Sequence, residues 1–141
     1  MEISDIRKRI HETMARARQH AAERRSRADA AGRAFEGFLA ATAVPLIRQI
    51  ANVLRAEGYM YSVSTPAGSV RLLSDKDAGD FIELSLDTTA DAPRVVARIS
   101  RSRGRRIVVV ERVVGSGNPD TIGEEELFAF LLKELEPFVE R

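Results

Sequence analysis

Apolar and small residues recur along the N-terminal part of the chain in steps of four and three: Ile10, Met14, Ala17, Ala21, Arg24, Ala28, Ala31, Phe35, Phe38 and Thr42. This is a heptad seam with one polar interruption, Arg24, and it predicts a single long helix from residue 3 to about residue 42. Proline and glycine are absent ahead of Gly32 and Gly37, and the strong helix formers Ala, Arg and Glu dominate. The middle of the seam is nearly pure alanine, which lets a second helix approach near the short end of the roughly 8–10 Å interaxial range. At about 1.5 Å per residue such a helix spans roughly 60 Å. A compact chain of this length is roughly 35–40 Å across. A straight helix therefore overhangs its own domain, and the alternative is a break near Gly32 or Gly37 that folds it back.

A second helix is predicted from about 44 to 57, with Pro45 in its first turn, an apolar face of Leu46, Ile47, Ile50, Val53 and Leu54, and Gly58 at its C-terminal end. The period then changes. Residues 59–65, 69–74, 80–88, 94–101 and 105–114 read as five strands, separated by turn signals such as Pro66-Ala-Gly68 and Ser102-Arg-Gly104. Ile82, Leu84 and Leu86 alternate with Glu83, Ser85 and Asp87, so one sheet face is buried and the other polar. The short links favour an antiparallel meander. A last helix follows the loop at 115–120, with Thr121 and Glu124 spaced as a capping box and Leu127, Phe128, Leu131, Leu135 and Phe138 as its apolar stripe. Pro137 kinks or ends it. The expected fold is α+β: a long N-terminal helix and a second helix, a five-stranded, mostly antiparallel meander sheet, and a C-terminal helix packed on one sheet face. The division is an extended basic arm at 1–42 and a helix–sheet–helix domain at 43–141.

Composition sharpens this picture at two points. There is no cysteine, which removes disulfides, thiolate nucleophiles and Cys-based zinc sites and fits a cytoplasmic protein. The N-terminus is charged from Glu2 onward, unlike a secretory leader, and no uninterrupted apolar run approaches the roughly 18 residues of a membrane span, so no membrane is expected. The formal net charge is +1, yet it is segregated in blocks. Residues 1–40 carry nine basic and six acidic groups, and 94–112 carry seven arginines against Glu111. Residues 71–91 carry two basic and six acidic groups, and 120–141 two and seven. Alternating blocks of this kind suit complementary surfaces.

Catalytic chemistry has little to work with. His11 and His20 lie nine positions apart on the long helix and share no face. The run Asp75-Lys-Asp-Ala-Gly-Asp80 resembles the start of a calcium loop, but its glycine comes one place early and position twelve is Leu86, so a solvated turn is the better reading. Gly115-Ser-Gly-Asn lacks the lysine of a phosphate loop. No catalytic, cofactor-binding or metal-ligating set is assigned and no cofactor is expected. Glu83, Asp87 and Glu111 remain carboxylates that a sheet could bring together.

The expected function is a non-enzymatic protein–protein interaction or assembly module. Its seam is Ile10, Met14, Ala17, Ala21, Ala28, Ala31, Phe35 and Phe38, and its partner is a second copy or a different protein. Arg18, His20, Arg25 and Arg27 flank the seam. They disfavour a parallel homodimer and suit an antiparallel pair or an acidic surface such as that around Glu124–Glu126. The alternative is a small nucleic-acid-binding protein. It would contact phosphates through Arg18, Arg25 and Arg27 of the helix and Arg98, Arg101, Arg103, Arg105 and Arg106 of the hairpin. Against it, the polar sheet face lacks stacking aromatics.

Overall fold

The computed structural model describes residues 1–140. Helix α1 (Ile3–Phe38) passes through a five-residue π-helical segment (Leu39–Ala43) directly into α2 (Val44–Ala56). The two predicted helices are thus one unbroken rod of 54 residues, about 80 Å long. Neither Gly32 nor Gly37 breaks it, because a glycine inside a helix costs only about 1 kcal/mol relative to alanine. The π turn replaces the boundary expected near residue 42. Pro45 sits in the first turn of α2, where its missing N–H and its ring would conflict with an ordinary α-helical turn, and the wider turn just before it relieves that conflict. The wider turn also moves the seam. After Phe35 and Phe38 the next buried residue is Ala43, five positions on, and half-buried Thr42 falls off the stripe. From Ala43 the buried face continues through Leu46, Ile47, Ile50 and Ala51.

At its far end α2 stops in a Schellman motif. Gly58 adopts φ +95°, its N–H bonds to the Arg55 carbonyl, and the Tyr59 N–H reaches back to the Leu54 carbonyl.

Five strands follow: β1 (Tyr61–Ser64), β2 (Ser69–Ser74), β3 (Phe81–Asp87), β4 (Arg94–Arg103) and β5 (Arg106–Val113). They form one sheet in the order β1-β2-β3-β4-β5, every neighbour antiparallel. The α+β meander read from the alternation is the observed fold, although β1 is shorter than predicted and β4 longer. Val70, Leu72, Ile82, Leu84, Val95, Ala97 and Ile99 line the inner face. Phe35, Phe38 and α2 cover it from one side, and helix α3 (Glu124–Leu135) covers it from the other through Leu127, Leu131 and Leu135. A 3₁₀ turn, Glu136–Phe138, ends α3 at Pro137 and buries Phe138 edge-on against Tyr61 at 6.5 Å.

Two details of α3 differ from the reading of its sequence. Thr121 is not the cap: its N–H and hydroxyl both turn back onto the Asn118 carbonyl, and the helix begins two residues later with Gly123 as N-cap. Phe128 does not join the buried stripe. It stands about 100° round the helix from Leu127, and that rotation takes it out to solvent.

The end of α2 is tied to the sheet by a polar clasp. The Arg55 guanidinium donates to the Tyr61 carbonyl (3.1 Å) and to the Asp75 carboxylate (2.9 Å), and the Ser62 hydroxyl donates to the other oxygen of Asp75. The Ser62 hydrogen bond, helped by the hydrogen bond and charge of Arg55, holds the Asp75 carboxyl below its ordinary pKa against the opposing effect of desolvation. A carboxyl with a depressed folded pKa adds stability that is complete above its unfolded value, about 3.9. That contribution is lost as pH falls through the folded value. Ser62→Ala should raise the Asp75 pKa toward the ordinary range, as followed by the carboxyl carbon shift in an NMR titration. An unmoved titration would assign the depression to Arg55 alone.

Candidate functional site

The arm is the exposed part of the rod. Every residue from Met1 to His20 is exposed. The predicted seam divides along its length. Phe35 and Phe38 are buried and stack at a centroid distance of 6.0 Å. Ala21, Ala28 and Ala31 are half-buried, while Ile10, Met14 and Ala17 are exposed. One stripe, interrupted only at Arg24, thus begins in the hydrophobic core and runs out beyond the domain with nothing covering it. Two residues outside the predicted seam extend it. Ile3 and Ile6 are exposed and precede Ile10 by seven and four positions, a spacing that places all three on the same face.

Charge is sorted around this stripe. At 100° per residue, Arg7, Arg18 and Arg25 fall along one edge, with Asp29 and Glu36 further along it, and Arg9, Arg16 and Arg27 fall along the other, with Glu2 at its start, whereas Asp5, Glu12 and Glu23 lie further round toward the rear. Among the described residues, none of these six arginines takes part in an ion pair. His11 and His20 are exposed on the same arm. Where the arm leaves the body, Arg27, Ala30 and Ala31 face the loops 90–94 and 116–120 across an open groove of about 840 Å³. By length and composition the rod Ile3–Ala56 includes a stretch apolar enough to cross a membrane, but the apolar residues of α2 (Leu46, Ile47, Ile50 and Ala51) are packed in the core.

The hairpin arginines are not gathered on one surface. Arg98 projects from the outer sheet face, in a cross-strand row Arg71, Glu83, Arg98, Glu111 that alternates in sign. Such opposite-charge neighbours stabilise a sheet by roughly 0.2–1 kcal/mol per pair. Arg101 and Arg112 have the parity of buried Ile99 and Ala97 and lie on the inner side, where Arg112 pairs with Glu134 of α3 at 2.9 Å. Arg103, Arg105 and Arg106 occupy the exposed hairpin tip around Gly104. Phe81, an aromatic of the outer face, has its ring covered by the Arg71 guanidinium at 4.0 Å, so it is not open to a base.

The carboxylates are engaged separately. Glu83 accepts from Ser69 and Arg71 (both 3.0 Å). Asp87 accepts from Thr89 and faces Arg94 at 3.7 Å. Asp77 accepts from the Gly79 N–H and the Ser102 hydroxyl, and buried Asp80 accepts from the Ser102 N–H at 2.7 Å. The acidic run therefore folds its loop onto the outer sheet face, where the Ser100 hydroxyl also bonds to the Gly79 carbonyl. Among the described residues no three His, Asp or Glu side chains converge as metal ligands would.

Further surface features have no counterpart in the sequence reading. The edge strand β5 exposes Ile107, Val108, Val109 and Val113, and α3 exposes Phe128 and Leu132. Nothing in the period of either segment separates these residues from core positions; only the placement of the neighbouring elements does. Comparison of the chain with protein families, with curated proteins and with solved structures found no match.

Proposed function

We propose that this chain is a non-enzymatic protein–protein interaction module that associates, with a second copy or another protein, through its N-terminal helical arm. The observation that carries the reading is the run of the apolar stripe, interrupted only at Arg24, from buried Phe35 and Phe38 out to exposed Met14, Ile10, Ile6 and Ile3. An isolated helix gains little from propensity alone, and amphipathic helices are stabilised chiefly by what covers their apolar face. Contiguous exposed apolar surface rimmed by polar groups is a mark of an interaction site. The alanines between these two ends leave room for a closely approaching helix.

The test is the double variant Ala21→Glu with Ala28→Glu. Light scattering should show loss of the associated species, while thermal unfolding of the body stays in place. Unchanged solution mass in that variant would sink the reading. The second reading, nucleic-acid binding, draws on the unpaired arginines of the arm and on the hairpin tip. It predicts retention of DNA or RNA at low salt that falls steeply as salt rises. A filter-binding assay with nothing retained at low salt would dispose of it. Dispersal of Arg98, Arg101 and Arg112 over opposite sides of the sheet, together with the covered Phe81 ring, weighs against it.

A further inference from the structure

We propose that the occupant of the arm is a second copy of this chain, and that Ile3, Ile6, Ile10 and Met14 dock on the Phe128–Leu132 face of that copy's α3. The inference rests on the arm as an association element and adds the surface it meets. Both surfaces are apolar and open: Ile3, Ile6, Ile10 and Met14 are 74%, 41%, 52% and 45% exposed, and Phe128 and Leu132 are 37% and 51% exposed. Phe128 and Leu132 are one turn apart on α3, with Glu125 and Glu136 along one edge of that face and Glu124 at its N-terminal end. These glutamates are exposed and, among the described residues, outside every ion pair.

Charge selects α3 over a second arm laid in parallel. Arginines edge the arm stripe on both sides, so two arms laid seam to seam in parallel bring Arg18 and Arg25 of one against basic groups of the other. Acidic groups along one edge and at the end of an apolar pair suit a stripe edged by arginines, and complementary potentials speed and orient association. Length agrees as well. Ile3 to Met14 is twelve residues and α3 is twelve residues, each about 18 Å.

The contact cannot form within one chain. α3 packs beside the π segment at the base of the rod, and 33 residues of unbroken helix, about 50 Å, separate Ile6 from that point. Two copies that exchange arms satisfy both arms and both α3 faces at once and close as a two-fold dimer, which joins two modest contacts into one assembly.

The test uses the full chain in sedimentation velocity. Phe128→Glu with Leu132→Glu changes only exposed positions, so the body should unfold at the parent temperature while the dimer dissociation constant rises by more than about tenfold. Ile6→Glu with Ile10→Glu should do the same. An equimolar mixture of the two variants should recover a heterodimer, because one intact arm then meets one intact α3. The reversed-charge variant Arg7→Glu with Arg9→Glu should weaken the dimer, and adding Glu125→Arg with Glu136→Arg should restore it. A dimer that survives Phe128→Glu/Leu132→Glu but is lost on Ala21→Glu/Ala28→Glu overturns this docking surface and leaves the arm as the association element. A monomeric parent chain overturns it too, and assigns the arm to a different protein.

Discussion

Replacing Leu84 by alanine should lower the unfolding free energy by about 2–5 kcal/mol, toward the upper part of that range. Leu84 is fully buried at the centre of β3, the middle strand of the sheet. It lies between Val70 on β2 and Ala97 on β4, which are also fully buried. The cost of such a truncation depends on how far the surroundings relax into the space left. Here the flanking backbones are held in ladders on both sides, and the methyl group of Ala97 is too short to swing inward. A loss of this size is a large part of the roughly 5–15 kcal/mol that keeps a domain folded. Urea titration checks it: the midpoint should fall while the slope stays near the parent value. Val53→Ala, at an exposed position of α2, should stay within about 0.5 kcal/mol. Equal shifts for the two would mean that the sheet does not form the core.

The second large effect is at Gly117. Its φ of +83° lies in the left-handed region, and an added Cβ would stand 3.0 Å from the Arg94 Cβ and 3.1 Å from a Val113 methyl. Its backbone is engaged on both sides, accepting from the Val95 N–H and donating to the Val114 carbonyl, so the turn cannot swing away. The left-handed conformation alone costs a side chain about 1–2 kcal/mol, and crowding in a packed site adds about 1–3 kcal/mol. Gly117→Ala should therefore cost about 2–5 kcal/mol. Gly68→Ala separates the two contributions, since Gly68 also has a positive φ (+75°) but open space around its Cβ position. It should lose only the conformational part. Thermal unfolding of the pair decides this, and equal losses would show that the contact with Arg94 and Val113 yields without cost. Should Gly117→Ala also change association through the arm, the neighbouring groove at Ala30 and Ala31 would be part of the interface.

Much of the fold was legible because the signals were local. Alternation over Ile82–Asp87 gave the buried and polar faces of β3 directly, since successive strand side chains point to opposite sides. Gly58 marked the end of α2 because only glycine enters the left-handed turn of a Schellman motif without strain. The long helix was legible from the seam, but its overhang was not, because length set against domain diameter left open a break near Gly32 or Gly37 that would fold it back. Other points were not. Thr121 and Glu124 have capping-box spacing, but Thr121 belongs to a turn closed by Asn118, and the loop conformation that decides this comes from packing. Phe128 fits an apolar stripe when only its neighbours in sequence are considered. Whether it is core depends on which side of α3 meets the sheet.

The same division holds for the candidate site. By itself the sequence determined that the arm is helical, that an apolar stripe runs along it with arginines at both edges, and that the body is a meander. Period, propensity and charge spacing are properties of adjacent residues. Only the tertiary structure decided where that stripe enters the core and where it becomes free, because the π turn at Leu39–Ala43 resets the register and puts Ala43 where Thr42 would have been. It also separated Arg98 from Arg101 and Arg112 by strand parity and left Phe128 and Leu132 uncovered on α3. Each of these depends on which surfaces meet across the chain, and burial is decided by those meetings.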